Sequence, residues 1–405
     1  MGIIQKQINN ILLFILVFFM VYDSARNYTH LPRIFGYLKD VIVYFWLLEL
    51  IYLKKIKEPF SNIGFYIILL LAFLWSWIGI LYPATEVAGN VGAVTYILKQ
   101  NEFFILLFVF RNYEKIFSYK YDKYIKLYIA FSFFLFFVTL VGIYVDNNIV
   151  SKNIISENNE GFPGYENRIA LGQPAVASFP QLISLVFLLL CKEKNITNAF
   201  ISFICLLGII MSTSMTGILV SFPLLLYIIG YLFWKGGYST KIKLFFCMIG
   251  IIIVTSYFLQ SDFFYENFSL AYLMVDTRID QFFNGTSIDP SMEAREYQKS
   301  TVITILQNSI GGFIIGQGCN GASVENSFYG ILLRFGIIGL MGYAIFLAYL
   351  LREAIKIKSM FMLLFIAIYI GFWYTLDALY VTTISYTFSF FLMYYMYYRC
   401  EADRK

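Results

Sequence analysis

The sequence is poor in histidine and in charged residues. Its 405 residues include one histidine, His30, which excludes a zinc site with several histidines and leaves only that residue for a Ser-His-Asp triad. Charged residues make up 14% of the chain and hydrophobic residues 60%, against about 25% and about 45–50% in soluble domains. This composition excludes a soluble enzyme, a disordered chain and a nucleic-acid binder, and it predicts a membrane protein.

Cysteines and nucleotide-binding motifs are also scarce. Of the five cysteines, only Cys319 falls in a segment that we place outside the cell membrane, so no disulfide framework is expected. The phosphate-binding pattern G-x-x-x-x-G-K-[ST] does not occur, and Gly316-Gln317-Gly318 lacks the strand and helix of a dinucleotide fingerprint. We therefore expect no cofactor, no metal site and no ATP-driven step.

Apolar runs long enough to cross a bilayer are the main feature that is present. At about 20 residues per crossing, about twelve such runs are predicted. They lie at residues 10–23, 35–53, 62–82, 90–110, 124–146, 172–191, 196–212, 215–234, 243–260, 327–351, 358–376 and 380–398. If the N-terminus is cytoplasmic, most Lys and Arg fall in cytoplasmic loops, as the positive-inside rule requires. The sequence predicts one all-α polytopic membrane domain, 1–405, with both termini cytoplasmic.

Two outward loops, 147–171 and 261–325, are much longer than the basic connectors on the other side. The larger loop is predicted to be partly helical, because Asp289 can cap a helix that begins at Pro290. The glycine pair at 311–312 is predicted to end this helix. Its apolar face indicates a rod that lies on or near the membrane surface.

The long outward loops contain three arginines: Arg168, Arg278 and Arg295. A guanidinium group stays charged and offers a planar fork of donors that suits phosphate oxygens, so the set predicts a diphosphate ligand. The alternative is that each arginine pairs with a nearby carboxylate. Among those carboxylates, Glu325 lies at the start of a predicted span that Ser323 can cap, so it is either functional or a helix-end stabiliser.

Charged residues inside predicted spans are costly and usually face protein or water. Arg334 is predicted to lie about 13 Å below the start of its helix, where it either reaches a lipid diphosphate or pairs with a carboxylate. The candidate partners are Glu49, Glu102 and Asp377. Lys99 and Glu102 are three residues apart on one helical face, so we expect them to neutralise each other.

Several segments resemble motifs of the bacterial O-antigen polymerases and the related O-antigen ligases. The region after the large periplasmic loop of these proteins is similar to Gly316-Gln317-Gly318, Glu325-Asn326-Ser327-Phe328-Tyr329 and Leu332-Leu333-Arg334-Phe335-Gly336-Ile337-Ile338-Gly339. Their arginine-bearing segments are similar to Glu293-Ala294-Arg295 and Arg168-Ile169-Ala170-Leu171-Gly172. Ligases of this type usually place a His beside the Asn where this chain has Glu325, so the resemblance favours the polymerases. Some relatives also carry a basic residue in the segment that corresponds to 212–217, which has none here.

The resemblance implies transfer of an undecaprenyl-diphosphate-linked glycan onto a lipid-linked repeat unit, at the periplasmic face of the bacterial inner membrane. The implied partners are the lipid-linked oligosaccharide, membrane lipids, a chain-length regulator and a flippase. The predicted catalytic residues are Glu325 as general base with Arg295 and Arg168 at the diphosphate. The predicted substrate-binding residues are Arg278, Asp280, Asn326, Arg334, Tyr297 and Lys299.

Two other functions stay open. One is an O-antigen ligase or another lipid-linked glycan transferase, and the other is a flippase for the same lipid-linked oligosaccharide. A flippase needs a central charged cavity and is often built from repeats. The chain has no recognisable repeat and places a long segment in one outward loop, which favours a transferase.

Overall fold

In the computed structural model the following residues are described: 2–23, 33–53, 55–81, 89–145, 174–190, 196–212, 237–259, 290–318, 324, 326–374, 376–379 and 381–399, with single residues between 217 and 234. Throughout these residues the regular structure is helical. The helices are α1 (Ile3–Tyr22), α2 (Arg33–Tyr52), α3 (Ile63–Leu81), α4 (Gly89–Arg111), α5 (Tyr113–Ile116), α6 (Tyr121–Val145), α7 (Pro174–Leu190), α8 (Ile196–Met211), α9 (Tyr238–Leu259), α10 (Pro290–Gln307), α11 (Ile310–Ile315), α12 (Ser327–Lys356), α13 (Met360–Trp373) and α14 (Thr382–Met393), followed by a π-helix at Tyr394–Arg399.

The all-α prediction is confirmed for the described part of the chain. Every predicted apolar run except 215–234 coincides with a helix, and 215–234 is described only at single residues. By length and composition, α1 and α12 are able to cross a membrane, and α3, α7, α8 and α13 contain shorter apolar stretches. The chain is therefore a helical protein with two clear candidate spans among its described residues.

The helices fall into two compact units. The first contains α1 to α5, the first part of α6 and α10 to α14, and the second contains the rest of α6 with α7 to α9. In the second unit α7 packs against α8. The two helices are so close that a Cβ on Gly208 would collide with the Gln181 side chain. The prediction of one integral membrane domain over 1–405 stays a prediction.

Aromatic side chains fill the core of the first unit between α13 and α14. The ring of Phe388 stacks on Phe365, with centroids 5.3 Å apart, and on Tyr369, with centroids 3.8 Å apart. Elsewhere in this unit α3 and α12 approach closely at Gly64 and Gly342, where a Cβ on Gly64 would collide with the Gly342 carbonyl oxygen. Small residues at a helix crossing are typical of helices that pack inside membranes.

Two predicted helix ends are wrong. The helix that begins at Pro290 ends at Gln307, and residues 311–312 lie inside the separate helix α11, which begins after the N-cap Ser309. The N-cap of α12 is Asn326, whose side-chain oxygen accepts hydrogen bonds from the backbone N–H groups of the second and third helical residues at 2.9 and 3.4 Å. Asn caps a helix as well as Ser does, so the cap sits three residues later than Ser323.

Candidate functional site

The structure describes only part of the predicted site. Four predicted residues lie outside the described residues: Glu325, Arg168, Arg278 and Asp280. Arg295 lies in α10, but its side chain is not described. The described side chains are those of Asn326, Arg334, Tyr297 and Lys299. The smaller loop, 147–171, is also outside the described residues, whereas 261–325 is described from residue 290 to 318 and at 324.

Helix α12 is interrupted at Gly336, whose backbone angles are φ 63° and ψ −166°. The two backbone carbonyls shortly before this interruption accept hydrogen bonds from another segment of the chain. The Leu333 carbonyl accepts a hydrogen bond from the Gln317 N–H at 2.7 Å, and the Arg334 carbonyl accepts one from the Gly318 N–H at 3.1 Å. The 316–318 segment therefore docks on α12 through backbone hydrogen bonds.

Glycine is required on both sides of this contact. Gly316 has a φ of 81° and Gly336 a φ of 63°, and with their ψ angles both adopt conformations that in practice only glycine populates. A Cβ on Gly316 would collide with the Arg334 carbonyl, and a Cβ on Gly336 would collide with the Ile314 carbonyl. The close backbone approach therefore leaves room only for glycine at both positions.

Helix α3 supports the other side of the 316–318 segment. The indole N–H of Trp75 donates a hydrogen bond to the Ile315 carbonyl at 2.9 Å. A Cβ on Gly318, which has a φ of 71°, would lie 2.5 Å from the indole ring. Trp75 was not predicted as a site residue, because nothing in its own apolar run indicates a partner so far along the chain.

Helix α10 packs against the start of α12 through an apolar cluster. Val302 and Leu306 of α10 are buried against Val324 and Leu333. The side-chain amide of Gln317 also donates to the Ile305 carbonyl of α10 at 3.4 Å. The helix that carries Arg295 is therefore attached to the same assembly as the 316–318 segment.

Tyr297 and Lys299 lie on α10 with access to solvent or ligand. The Tyr297 side chain is 73% exposed. Lys299 Nζ lies 3.1 Å from Glu296 Oε2, and this hydrogen bond raises the pKa of Lys299, so the ammonium group stays charged.

Arg334 forms an ion pair with Asp377, one of the three partners considered from the sequence. The Arg334 side chain is 7% exposed and the Asp377 side chain 16% exposed. Burial raises the pKa of Asp377, and the positive charge of Arg334 opposes that shift. Gly330 makes room for the pair, because a Cβ there would collide with the Arg334 guanidinium. The role of Arg334 in substrate binding stays a prediction.

The turn that holds Asp377 is tied to the start of α12. Ser327 Oγ donates to the Leu376 carbonyl at 2.6 Å and accepts from the Ala378 N–H at 2.7 Å. The Asn326 side-chain amide donates to the Tyr374 carbonyl at 3.2 Å. Ser327 was missed as a positioning residue, because a serine beside a helix cap gives no sign of its partner.

Within the described residues the site offers an exposed tyrosine, a charged lysine and the capped start of α12, together with a buried arginine–carboxylate pair. Such groups suit a sugar ring and an anion. No group of three or more His, Cys, Asp or Glu side chains in the described part could hold a metal ion. Comparison of the chain with known protein families and with curated proteins finds no match.

Proposed function

We propose that this chain is an O-antigen polymerase. It transfers a growing glycan from undecaprenyl diphosphate onto a lipid-linked repeat unit at the periplasmic face of the bacterial inner membrane. The proposal rests mainly on one observation: the 316–318 segment docks on Leu333 and Arg334. These are two of the segments that resemble the polymerase family, and their backbone contact makes them one structural unit.

The proposed membrane arrangement has about twelve spans, at roughly 20 residues each, with both termini in the cytoplasm. The apolar composition, the two long apolar helices α1 and α12 and the shorter apolar helices support it. The distribution of Lys and Arg among the loops supports the orientation. In this arrangement α10 and the start of α12 lie at the periplasmic face.

The chemistry requires one glycosidic bond to form as the glycosyl–diphosphate bond breaks. Glu325 removes the proton of the acceptor hydroxyl as that oxygen attacks the anomeric carbon, and the lipid diphosphate leaves with the bonding electrons. Arg295 and Arg168 stabilise the negative charge that develops on the diphosphate, which lowers the barrier more than it favours the bound substrate. The energy comes from the bond that breaks, so no nucleotide is needed.

Lys299 and Tyr297 extend this assignment along α10. Two turns of helix place Arg295, Lys299 and Val302 close together along one side, because residues three and four apart are neighbours on a helix. Val302 is buried against α12, so the cation-bearing side of α10 borders the predicted site. We assign Lys299 to the lipid diphosphate. Tyr297 lies on a different side of α10 from these cations, because residues two apart do not face each other; we assign it to a sugar ring because it is exposed.

The test is a deletion strain complemented with Arg295→Ala or with the control Arg352→Ala. Arg352 is an exposed arginine that pairs with Glu353 at 3.1 Å near the opposite end of α12. We expect Arg295→Ala to yield surface lipid carrying single repeats, while Arg352→Ala restores long chains. Wild-type chain length from Arg295→Ala at equal membrane abundance contradicts the role of the arginine.

The same strain separates the proposed activity from its alternatives. Without complementation, a polymerase deletion leaves single repeats on the surface lipid. A ligase deletion leaves full-length chains on undecaprenyl diphosphate, and a flippase deletion leaves repeat units at the cytoplasmic face. Either of the last two results overturns the polymerase assignment.

A further inference from the structure

A surface rich in lysine lies at the end of the first unit that is opposite the start of α12. The ring of Phe60 is 4.9 Å from the ring of Phe346, measured between centroids, and Phe346 lies about 30 Å along α12 from its N-cap Asn326. This surface, which we call the lysine face, consists of Lys6, the segment 55–58 and the segment 111–123. The two segments lie between α2 and α3 and between α4 and α6.

Hydrogen bonds fix the two segments of the lysine face against each other. The Asn112 side chain accepts a hydrogen bond from the Lys57 N–H and donates one to the Lys57 carbonyl, both at 2.9 Å. The Arg111 guanidinium donates to the Glu58 carbonyl at 3.2 Å. The two segments therefore form one continuous surface.

The backbone at Lys55 is held in an unusual conformation. Its φ is 62°, in the left-handed region that residues other than glycine rarely adopt. The Lys115 ammonium group donates a hydrogen bond to the Lys55 carbonyl, and the Lys6 ammonium group donates one to the Glu114 carbonyl at 2.8 Å. Lys6 and Lys115 thus help to build the surface, whereas the Lys55 side chain is exposed.

Positive charges on the lysine face outnumber negative charges. It contains seven cations and three carboxylates, which gives a net charge of +4. The cations are Lys6, Lys55, Lys57, Arg111, Lys115, Lys120 and Lys123, and the carboxylates are Glu58, Glu114 and Asp122. The carboxylates of Glu58 and Asp122 accept hydrogen bonds from the hydroxyls of Tyr66 and Tyr394. Within the described residues none of the seven cations forms an ion pair.

Exposed apolar and aromatic side chains border these cations. Tyr52 at the end of α2 is 85% exposed, and Ile63 at the start of α3 is 69% exposed. The exposed ring of Tyr119 has its centroid 3.7 Å from Lys123 Nζ. Tyrosines and lysines at the ends of apolar helices are typical of the level at which lipid headgroups lie.

We propose that the lysine face binds anionic phospholipid headgroups, with the exposed ammonium groups of Lys55, Lys57 and Lys120 on the lipid phosphates. Ammonium groups bind phosphate oxygens through charge-assisted hydrogen bonds. A lipid fits better than a soluble polyanion, because the apolar residues beside the cations enter the bilayer when a lipid binds but stay in water when a polyanion does. The proposal rests on the proposed membrane arrangement, in which this face meets the anionic cytoplasmic leaflet, and not on the glycan transfer.

Native mass spectrometry of the full-length protein in detergent tests the proposal. Phosphatidylglycerol and phosphatidylethanolamine are added at equal concentration, and only the first carries a net negative charge. We expect the wild type to bind phosphatidylglycerol in preference, by about fivefold for each contributing lysine at low salt. The variant with Lys55→Gln, Lys57→Gln and Lys120→Gln should lose this preference, and added salt should weaken it in the wild type.

The double variant Arg352→Gln with Lys356→Gln is the matched control. Both cations lie at the end of α12 and are already paired with Glu353, at 3.1 and 2.8 Å. We therefore expect the control to keep the wild-type preference for phosphatidylglycerol.

Equal binding of the two lipids by the wild type overturns the proposal, and so does an undiminished preference in the triple variant. Displacement of phosphatidylglycerol by an equal concentration of inorganic phosphate also overturns it, because the face then recognises free phosphate. The assay contains no glycan, so its result is independent of the polymerase activity. Recovery of the chain in the soluble fraction without detergent contradicts the membrane arrangement and this proposal together.

Discussion

The ion pair between Arg334 and Asp377 is the most consequential buried contact of the candidate site. Removing one partner takes the ion pair away from the buried charge that remains. We expect Asp377→Ala or Arg334→Ala to lower the free energy of unfolding by about 3–5 kcal/mol. Thermal or denaturant unfolding of the purified protein measures the loss.

The double variant Arg334→Met with Asp377→Leu separates stability from function. Apolar replacement of a buried pair is often close to neutral, so we expect this variant to be more stable than either single variant. If Arg334 also contacts the diphosphate, the double variant still makes only short chains. Long chains from a stable double variant assign the pair a purely structural role.

Glu325 is the predicted general base, and its side chain lies outside the described residues. We expect Glu325→Gln to reduce the rate of long-chain synthesis by about 10²–10⁴-fold, because the amide keeps the size but cannot accept the proton. The rate of polymer formation from lipid-linked repeat units measures this effect. Glu353→Gln, at a carboxylate that pairs with Lys356 at 2.8 Å, is the control and should keep the wild-type rate. A near wild-type rate in Glu325→Gln shows that Glu325 is not the general base.

At the scale of elements, the break in α12 and the 316–318 segment form one device. The break turns two carbonyls of α12 toward backbone N–H groups of 316–318, and α3 and α10 hold that segment from two sides. The start of α12, which carries the motif at 326–329, is thereby separated from the long apolar remainder of the helix. We infer that this device positions the motif.

Gly336→Ala tests the device. We expect a loss of at least about 1–3 kcal/mol in the free energy of unfolding, because alanine does not tolerate this backbone conformation and its Cβ collides with the Ile314 carbonyl. Chemical denaturation provides the measurement.

Gly311→Ala is the matched control for this prediction. Gly311 lies in the helix α11, and a Cβ there would meet nothing within 4 Å. Alanine at this position should be neutral or stabilising by about 0.4–1 kcal/mol. Equal losses in the two glycine variants contradict the proposed device.

At the scale of the whole molecule, the proposed orientation places both long loops in the periplasm. Reporter fusions at Asn158 and at Ser287 should therefore give periplasmic signals, and fusions in 54–61, 111–123 and 235–243 should give cytoplasmic signals. Alkaline phosphatase and fluorescent-protein fusions read out the two compartments. A cytoplasmic signal at Asn158 or Ser287 contradicts the arrangement of spans.

The sequence by itself determined the helical class and the position of most helices. Apolar run lengths and local signals carry that information, as at Pro290, where a helix begins as predicted. Helix ends are less predictable from the sequence, because several residue types can act as an N-cap. The sequence suggests Ser323 as the N-cap of α12, whereas the structure has Asn326. The segments that resemble the polymerase family are recognisable in the sequence, but the contact between 316–318 and α12 is not.

Only the tertiary structure decided which distant groups meet. Arg334 had three candidate carboxylates, and the packing of α12 against α13 and the turn after it selected Asp377. Glu102 instead accepts a hydrogen bond from the Tyr386 hydroxyl of α14. The break at Gly336 likewise persists because N–H groups from another segment satisfy the carbonyls beside it. Local sequence sets the propensity of each segment, whereas these choices depend on which helix faces touch.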